Sequence, residues 1–140
     1  DDTKSDWDSE QEIVNDPAPV YAALPMNLTL PNLESPEDLT TALQNKLKGD
    51  IATYAGVAEE RVYILRVVAG SVTVNMVILF THEDGDPISK MRAFTRDALN
   101  NPGSVLSDAA FRSAEFDVGD SQNYSSYDEF EKWYDDTKSD

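Results

Sequence analysis

Between Arg61 and Phe80 two β-branched runs are separated only by Ala69-Gly70-Ser71, and this pattern restricts the fold more than any other in the chain. In the second run Val72, Val74, Met76, Ile78 and Phe80 recur at every other position, which places all five on one face of a strand. Small turn residues between two such runs predict a hairpin.

The flanking sequence supplies the remaining elements. Met26-Asn-Leu-Thr-Leu30 alternates apolar and polar residues and reads as a half-buried strand. Ser35-Pro36-Glu37-Asp38 is a helix start, with Ser as N-cap, Pro in the first turn and acids at the positive helix end. Leu39, Leu43, Leu47 and Ile51 follow at intervals of four, and Gly56 supplies a stop. After the hairpin, His82 to Asp86 forms a loop ending in an N-cap, with Pro87 at the first helical position. Ile88, Met91, Phe94 and Ala98 or Leu99 make a second apolar stripe, closed by Asn100-Asn101-Pro102-Gly103. Phe111 to Val118 reads as a last strand, with Ala114, Phe116 and Val118 on one face. The order β-α-β-β-α-β predicts an α+β, ferredoxin-like domain: a four-stranded antiparallel sheet with two helices on one face.

Gly70-Ser71-Val72-Thr73-Val74 resembles the G-S-V-V-V hairpin of SEA domains, departing from it at Thr73. The element order over residues 25–118 is that family's, and Gly56-Val57 and Arg61-Val62 are also similar to SEA-like modules in large surface proteins of unicellular eukaryotes. The resemblance implies an extracellular module of a membrane-tethered or secreted glycoprotein. In some members it also implies self-cleavage between the Gly and Ser of the hairpin, here Gly70 and Ser71. Such cleavage needs strain that lets the Ser71 hydroxyl attack the Gly70 carbonyl. The simpler reading is favoured, in which Gly70 permits a positive φ and Ser71 is merely small. The one histidine, His82, lies eleven positions from Ser71 along an extended strand, roughly 30 Å away at about 3.3 Å per residue, so the two form no dyad.

Charge separates the rest of the chain into regions. Of 140 residues, 27 are acidic and 11 basic, and the net charge of −16 opposes binding to nucleic acid or anionic lipid. No cysteine is present, which removes disulfides, thiolate metal sites and cysteine nucleophiles. No apolar stretch approaches the length of a membrane span, and Asp1-Asp2-Thr3-Lys4 is acidic where a signal peptide would be basic. Residues 1–24 and 117–140 each carry a net −6, whereas 25–116 carry only −4. Hence three regions are expected: an acidic connector over 1–24, the α+β domain over 25–118, and an acidic aromatic connector over 119–140.

Asp1-Asp2-Thr3-Lys4-Ser5-Asp6 recurs as Asp135-Asp136-Thr137-Lys138-Ser139-Asp140. The simplest reading is a tandem array of period 134, in which residue 140 of one unit leads into Trp7 of the next; the alternative is a duplicated tag. Phe130, Trp133 and Tyr134 then form a helical stripe that Trp7 of the next unit continues. On the strand face turned away from the helices, Val77 and Leu79 are too apolar for water, and the aromatic connector is expected to dock there, in cis or from the next unit.

The topology also gathers chain ends and carboxylates. Both connectors are expected at the pole holding Glu59, Glu60, Glu83, Asp84, Asp86, Asp117 and Asp120, which prevents end-to-end stacking of units. Calcium suits carboxylate oxygens, although the spacing matches no EF-hand loop. Asn27-Leu28-Thr29 and Asn123-Tyr124-Ser125 are N-glycosylation sequons. No phosphate-binding loop or cleft carboxylate pair points to an enzyme. The leading expectation is therefore a non-catalytic structural repeat of a large extracellular or cell-surface protein, without a cofactor and with neighbouring copies as partners. A calcium- or ligand-binding adhesion module is the second reading, and an intracellular cytoskeletal or flagellar repeat the third.

Overall fold

Strands β1 (Tyr21–Thr29), β2 (Val62–Val68), β3 (Thr73–Thr81), β4 (Glu115–Val118) and β5 (Gln122–Tyr124) form one antiparallel sheet in a computed structural model that describes residues 21–106 and 108–138. The sheet order is β2-β3-β1-β4, and β5 pairs with β1 beyond β4. Helices α1 (Thr41–Ala55) and α2 (Pro87–Asn100) supply the covering layer of an α+β, ferredoxin-like arrangement. A short helix α3 (Pro102–Val105) follows α2, and α4 (Tyr127–Lys138) ends the described chain.

The main core forms where strand alternation meets the helical stripes. Leu24, Met26 and Leu28 of β1 and Val74, Met76, Ile78 and Phe80 of β3 pack against Leu47 and Ile51 of α1 and Met91, Phe94 and Ala98 of α2. Phe94 sets its ring 6.4 Å from Phe80 and 6.3 Å from Phe116. Ala98, not Leu99, completes the α2 stripe, since Leu99 is 51% exposed. Asp86 caps α2 by accepting from the Ile88 amide and the Ser89 hydroxyl at 3.2 and 2.8 Å. These bonds, the Ser89 hydroxyl above all, hold the Asp86 carboxyl below its ordinary value.

Several boundaries differ from the sequence expectation for identifiable reasons. Strand β1 starts at Tyr21 rather than Met26 and runs through Pro25. There the neighbouring edge is interrupted between β4 and β5, so the missing proline N–H breaks no ladder bond, while the Gly119 amide donates to the Pro25 carbonyl at 2.9 Å. The segment after Ser35 makes only a 3-10 turn, Pro36–Asp38. Buried Leu39 breaks the helical path, and α1 begins after Thr40, whose hydroxyl accepts from the Leu43 amide. The last long strand shrinks to Glu115–Val118, because Ala109–Phe111 forms a 3-10 turn and Ser113 adopts φ 64. In β2 neither alternate set is polar because a bulge at Leu65 shifts the register. Val62 and Ile64 pair with Ile78 and Met76, and the pairing resumes with Arg66 opposite Asn75.

The largest difference lies after residue 118. The segment 119–140, expected to be a connector, supplies β5 and α4, and both belong to the domain. Helix α4 packs on the sheet face opposite α1 and α2, giving a third layer.

Candidate docking site on the second sheet face

The second face of the sheet is divided lengthwise. Toward the start of β1 it presents Tyr21, Ala23, Tyr63, Val77 and Leu79; toward the hairpin it presents Asn27, Thr29, Arg66, Thr73 and Asn75. Only the first half is apolar, and only there does α4 settle. Phe130 is fully buried against Ala23, Val77 and Leu79, with Trp133 and Tyr134 half-buried beside it. The Phe130 ring lies 5.1 Å from Tyr63 and 5.9 Å from Tyr124, and it stacks on Tyr134 at 6.2 Å with 14° between planes. Aromatic pairs of this kind contribute about 0.5–1.5 kcal/mol each beyond area burial. Val77, Leu79, Phe130, Trp133 and Tyr134 thus form one cluster, filled in cis within the described residues. Trp7 lies outside the described residues.

Polar contacts fix both ends of α4. At its start the Ser126 hydroxyl accepts from the Glu129 amide at 3.3 Å, while Glu129 accepts from the Ser125 amide and hydroxyl at 3.0 and 2.9 Å. The Ser125 amide, then its hydroxyl, hold the Glu129 carboxyl below its ordinary value. At the other end Arg66 donates to the Thr137 carbonyl at 2.8 Å, a charge placed on the negative pole of the helix. Lys138 sits 4.8 Å over the Tyr134 ring.

Between the start of α4 and the sheet, Tyr21, Tyr63, Tyr127, Glu60 and Arg61 line an open cleft of about 430 Å³. The Tyr21 and Tyr127 rings lie 6.5 Å apart and inclined by 60°, and the Tyr63 and Tyr127 hydroxyls are hydrogen-bonded at 3.2 Å. Burial, then the bond to Tyr127, keeps the Tyr63 phenol protonated above its ordinary value. Arg61 is engaged with Glu83 at 3.1 Å. The sequence does not single out these tyrosines: Tyr21 precedes the expected strand start at Met26, Tyr63 lies inside β2, and Tyr127 stands three positions before Phe130 on α4. Ser126-x-x-Glu129 is a legible capping signal that places the start of α4.

The other expected site residues are dispersed. Glu83 pairs with Arg61 and Asp86 caps α2. Asp117 lies opposite Asn27 on the sheet, six positions from the strand start and so roughly 20 Å from the pole where it was expected. Asp120 is exposed between β4 and β5, and the Asp84 side chain lies outside the described residues. Among the described residues no group of three or more His, Asp or Glu is arranged to hold a metal ion.

Gly70 adopts φ 99 in an exposed turn, and the Ser71 carbonyl accepts from the Thr73 hydroxyl at 2.9 Å. His82 lies beyond the far end of β3 from Ser71, its ring edge-on to Tyr21 at 6.4 Å. Asn27 and Asn123 are both exposed: Asn27 lies mid-sheet with its side-chain carbonyl accepting from the Asn75 amide, and Asn123 lies on the edge strand β5.

The path of the chain also departs from expectation. It enters β1 at Tyr21, but α4 runs back across the sheet and ends beside Arg66, opposite Asn75. The described chain therefore ends about 20 Å along the strands from where it enters, and not at the same pole. No family model, no curated protein and no solved structure matches this chain. No helix among the described residues is long and apolar enough to cross a membrane.

Proposed function

We propose that this chain is a non-catalytic structural repeat, one SEA-like unit of a larger extracellular or cell-surface protein whose neighbouring partners are further copies of itself. The observation that carries this reading is the matched hexapeptide. Its second copy begins at Asp135, and the first four residues of that copy form the last turn of α4, while its first copy opens the segment that leads into β1. A unit whose last helix hands the chain on some 20 Å from where it came in can join its neighbours end to end, an arrangement that a shared pole would forbid. The face that would otherwise be left sticky is closed by the unit's own α4, so each copy folds without borrowing an element. Both sequon asparagines are exposed, and Asn123 on the edge strand is the favoured glycan acceptor in such a setting because the Asn27 side chain is engaged by Asn75.

Reading the coding sequence on both sides of this segment tests the proposal. Codon 140 is expected to lead into another Trp-Asp-Ser-Glu and a further copy at a spacing of 134 residues. Unrelated sequence directly following the second hexapeptide overturns the tandem reading.

A further inference from the structure

We propose that the cleft formed by Tyr21, Tyr63, Tyr127 and Glu60 is a binding site for a small organic ammonium ion of the trimethylammonium type. This goes beyond the repeat reading and does not depend on it. Three features carry it. First, three tyrosines from three separate elements, β1, β2 and α4, converge on one cleft of about 430 Å³, ample for a tetrahedral ammonium head. Second, the Tyr21 and Tyr127 rings stand 6.5 Å apart and inclined by 60°, too close for a methylated ammonium to slot between them. A cation at the mouth of the wedge they form, however, lies within about 6 Å of both ring centroids, the range in which the aromatic quadrupole attracts positive charge. The Tyr63 ring is packed against Phe130 and Tyr134 at 5.1 and 4.8 Å, and the bond between its hydroxyl and that of Tyr127 fixes it as the wall of the cleft.

Third, charge selects the sign of the ligand. Arg61 also lines the cleft, but its guanidinium is paired with Glu83 at 3.1 Å. Glu60 adds a further exposed carboxylate, leaving the local balance negative within a chain of net charge −16. Anions are repelled, and a neutral ligand gains nothing from the carboxylate. A methylated ammonium is weakly hydrated, so it loses little on leaving water for the ring faces. The carboxylate rim favours the free cation over a zwitterionic headgroup carrying a phosphate.

The test titrates the full chain with tetramethylammonium and choline, at an ionic strength held constant with sodium chloride, and follows the tyrosine ring signals by NMR. Saturable binding with Kd of about millimolar order is expected for both. The neutral isostere 3,3-dimethylbutan-1-ol should bind at least tenfold more weakly, and phosphocholine several-fold more weakly than choline. Tyr21→Leu should weaken choline binding roughly three- to thirtyfold. Glu60→Gln alters an exposed side chain outside the core, so it keeps the test valid if the first variant fails to fold; it should weaken binding about threefold or more. Absence of saturation, equal binding of the neutral isostere, or unchanged affinity in Glu60→Gln overturns the proposal. Phosphocholine binding as tightly as choline overturns the choice of a free cation.

Discussion

At Ser113 the backbone turns left-handed, φ 64, immediately before β4. That conformation costs a residue with a Cβ about 1 kcal/mol or more, and the exposed Ser113 side chain makes no core contact that would require it. Ser113→Gly is therefore expected to raise the free energy of unfolding by roughly 0.5–1 kcal/mol in urea titrations. Gly56 gives the opposite result. Its φ of 76 ends α1, and an added Cβ would lie 3.1 Å from the Lys90 amine, which donates to the Gly56 carbonyl at 2.8 Å. Gly56→Ala should lower stability by about 1–2 kcal/mol in the same assay. Glu129 provides a pH test. Its carboxyl is held below the ordinary glutamate value of 4.5, so its ionised form is favoured in the folded state. The resulting stabilisation is complete above that value and is lost as pH falls through the lowered one. Glu129→Gln is thus expected to be less stable than the parent at pH 7 and equal to it near pH 2, as measured by thermal unfolding across that range.

Among the elements, α4 is the most informative because its attachment separates into an apolar and a polar part. Phe130 anchors the apolar part, and Phe130→Ala should cost about 3–5 kcal/mol, the usual loss for a fully buried phenylalanine. Arg66 anchors the far end through the Thr137 carbonyl. Arg66 is exposed, so Arg66→Ala should cost only about 1 kcal/mol. Its effect should be local: amide hydrogen exchange is expected to accelerate over the last turn of α4 while β3 keeps the parent's protection. Equal acceleration in β3 would show that α4 and the sheet unfold as one unit. The sequence already carried much of this element. The aromatic spacing of Phe130, Trp133 and Tyr134 and the surplus of Val77 and Leu79 on the second face gave both halves of the contact. Arg66 was not legible, because only the bulge at Leu65 turns it toward α4.

On the scale of the molecule, the excess of negative charge is the dominant electrostatic fact. With a net charge of −16 and ion pairs such as Arg61–Glu83 and Lys46–Asp50 at 3.1 and 3.6 Å offsetting only part of it, the compact state carries self-repulsion that counter-ions relieve. Raising sodium chloride from about 10 mM to 150 mM shortens the Debye length from about 30 to 8 Å. The melting temperature is expected to rise by several degrees, and an unchanged or lower value would show that repulsion is already dissipated in solvent. The layered architecture follows the same division of labour between charge and apolar surface. One face of the sheet is covered by α1 and α2, half of the other by α4, and the remaining half is polar enough to face water unaided.

The sequence by itself determined the ferredoxin-like order, because that order needs only local information. Strand alternation, helical stripes, Pro87 behind Asp86 and glycine at Gly56 and Gly70 are each read within a few residues. It also determined that the C-terminal aromatics need a partner surface. Only the tertiary structure decided where β1 begins, where the described chain ends, how far apart the expected carboxylates lie and which tyrosines meet in a cleft. Those outcomes depend on register across strands and on a bulge, quantities set by pairing between distant segments rather than by any residue's own preference.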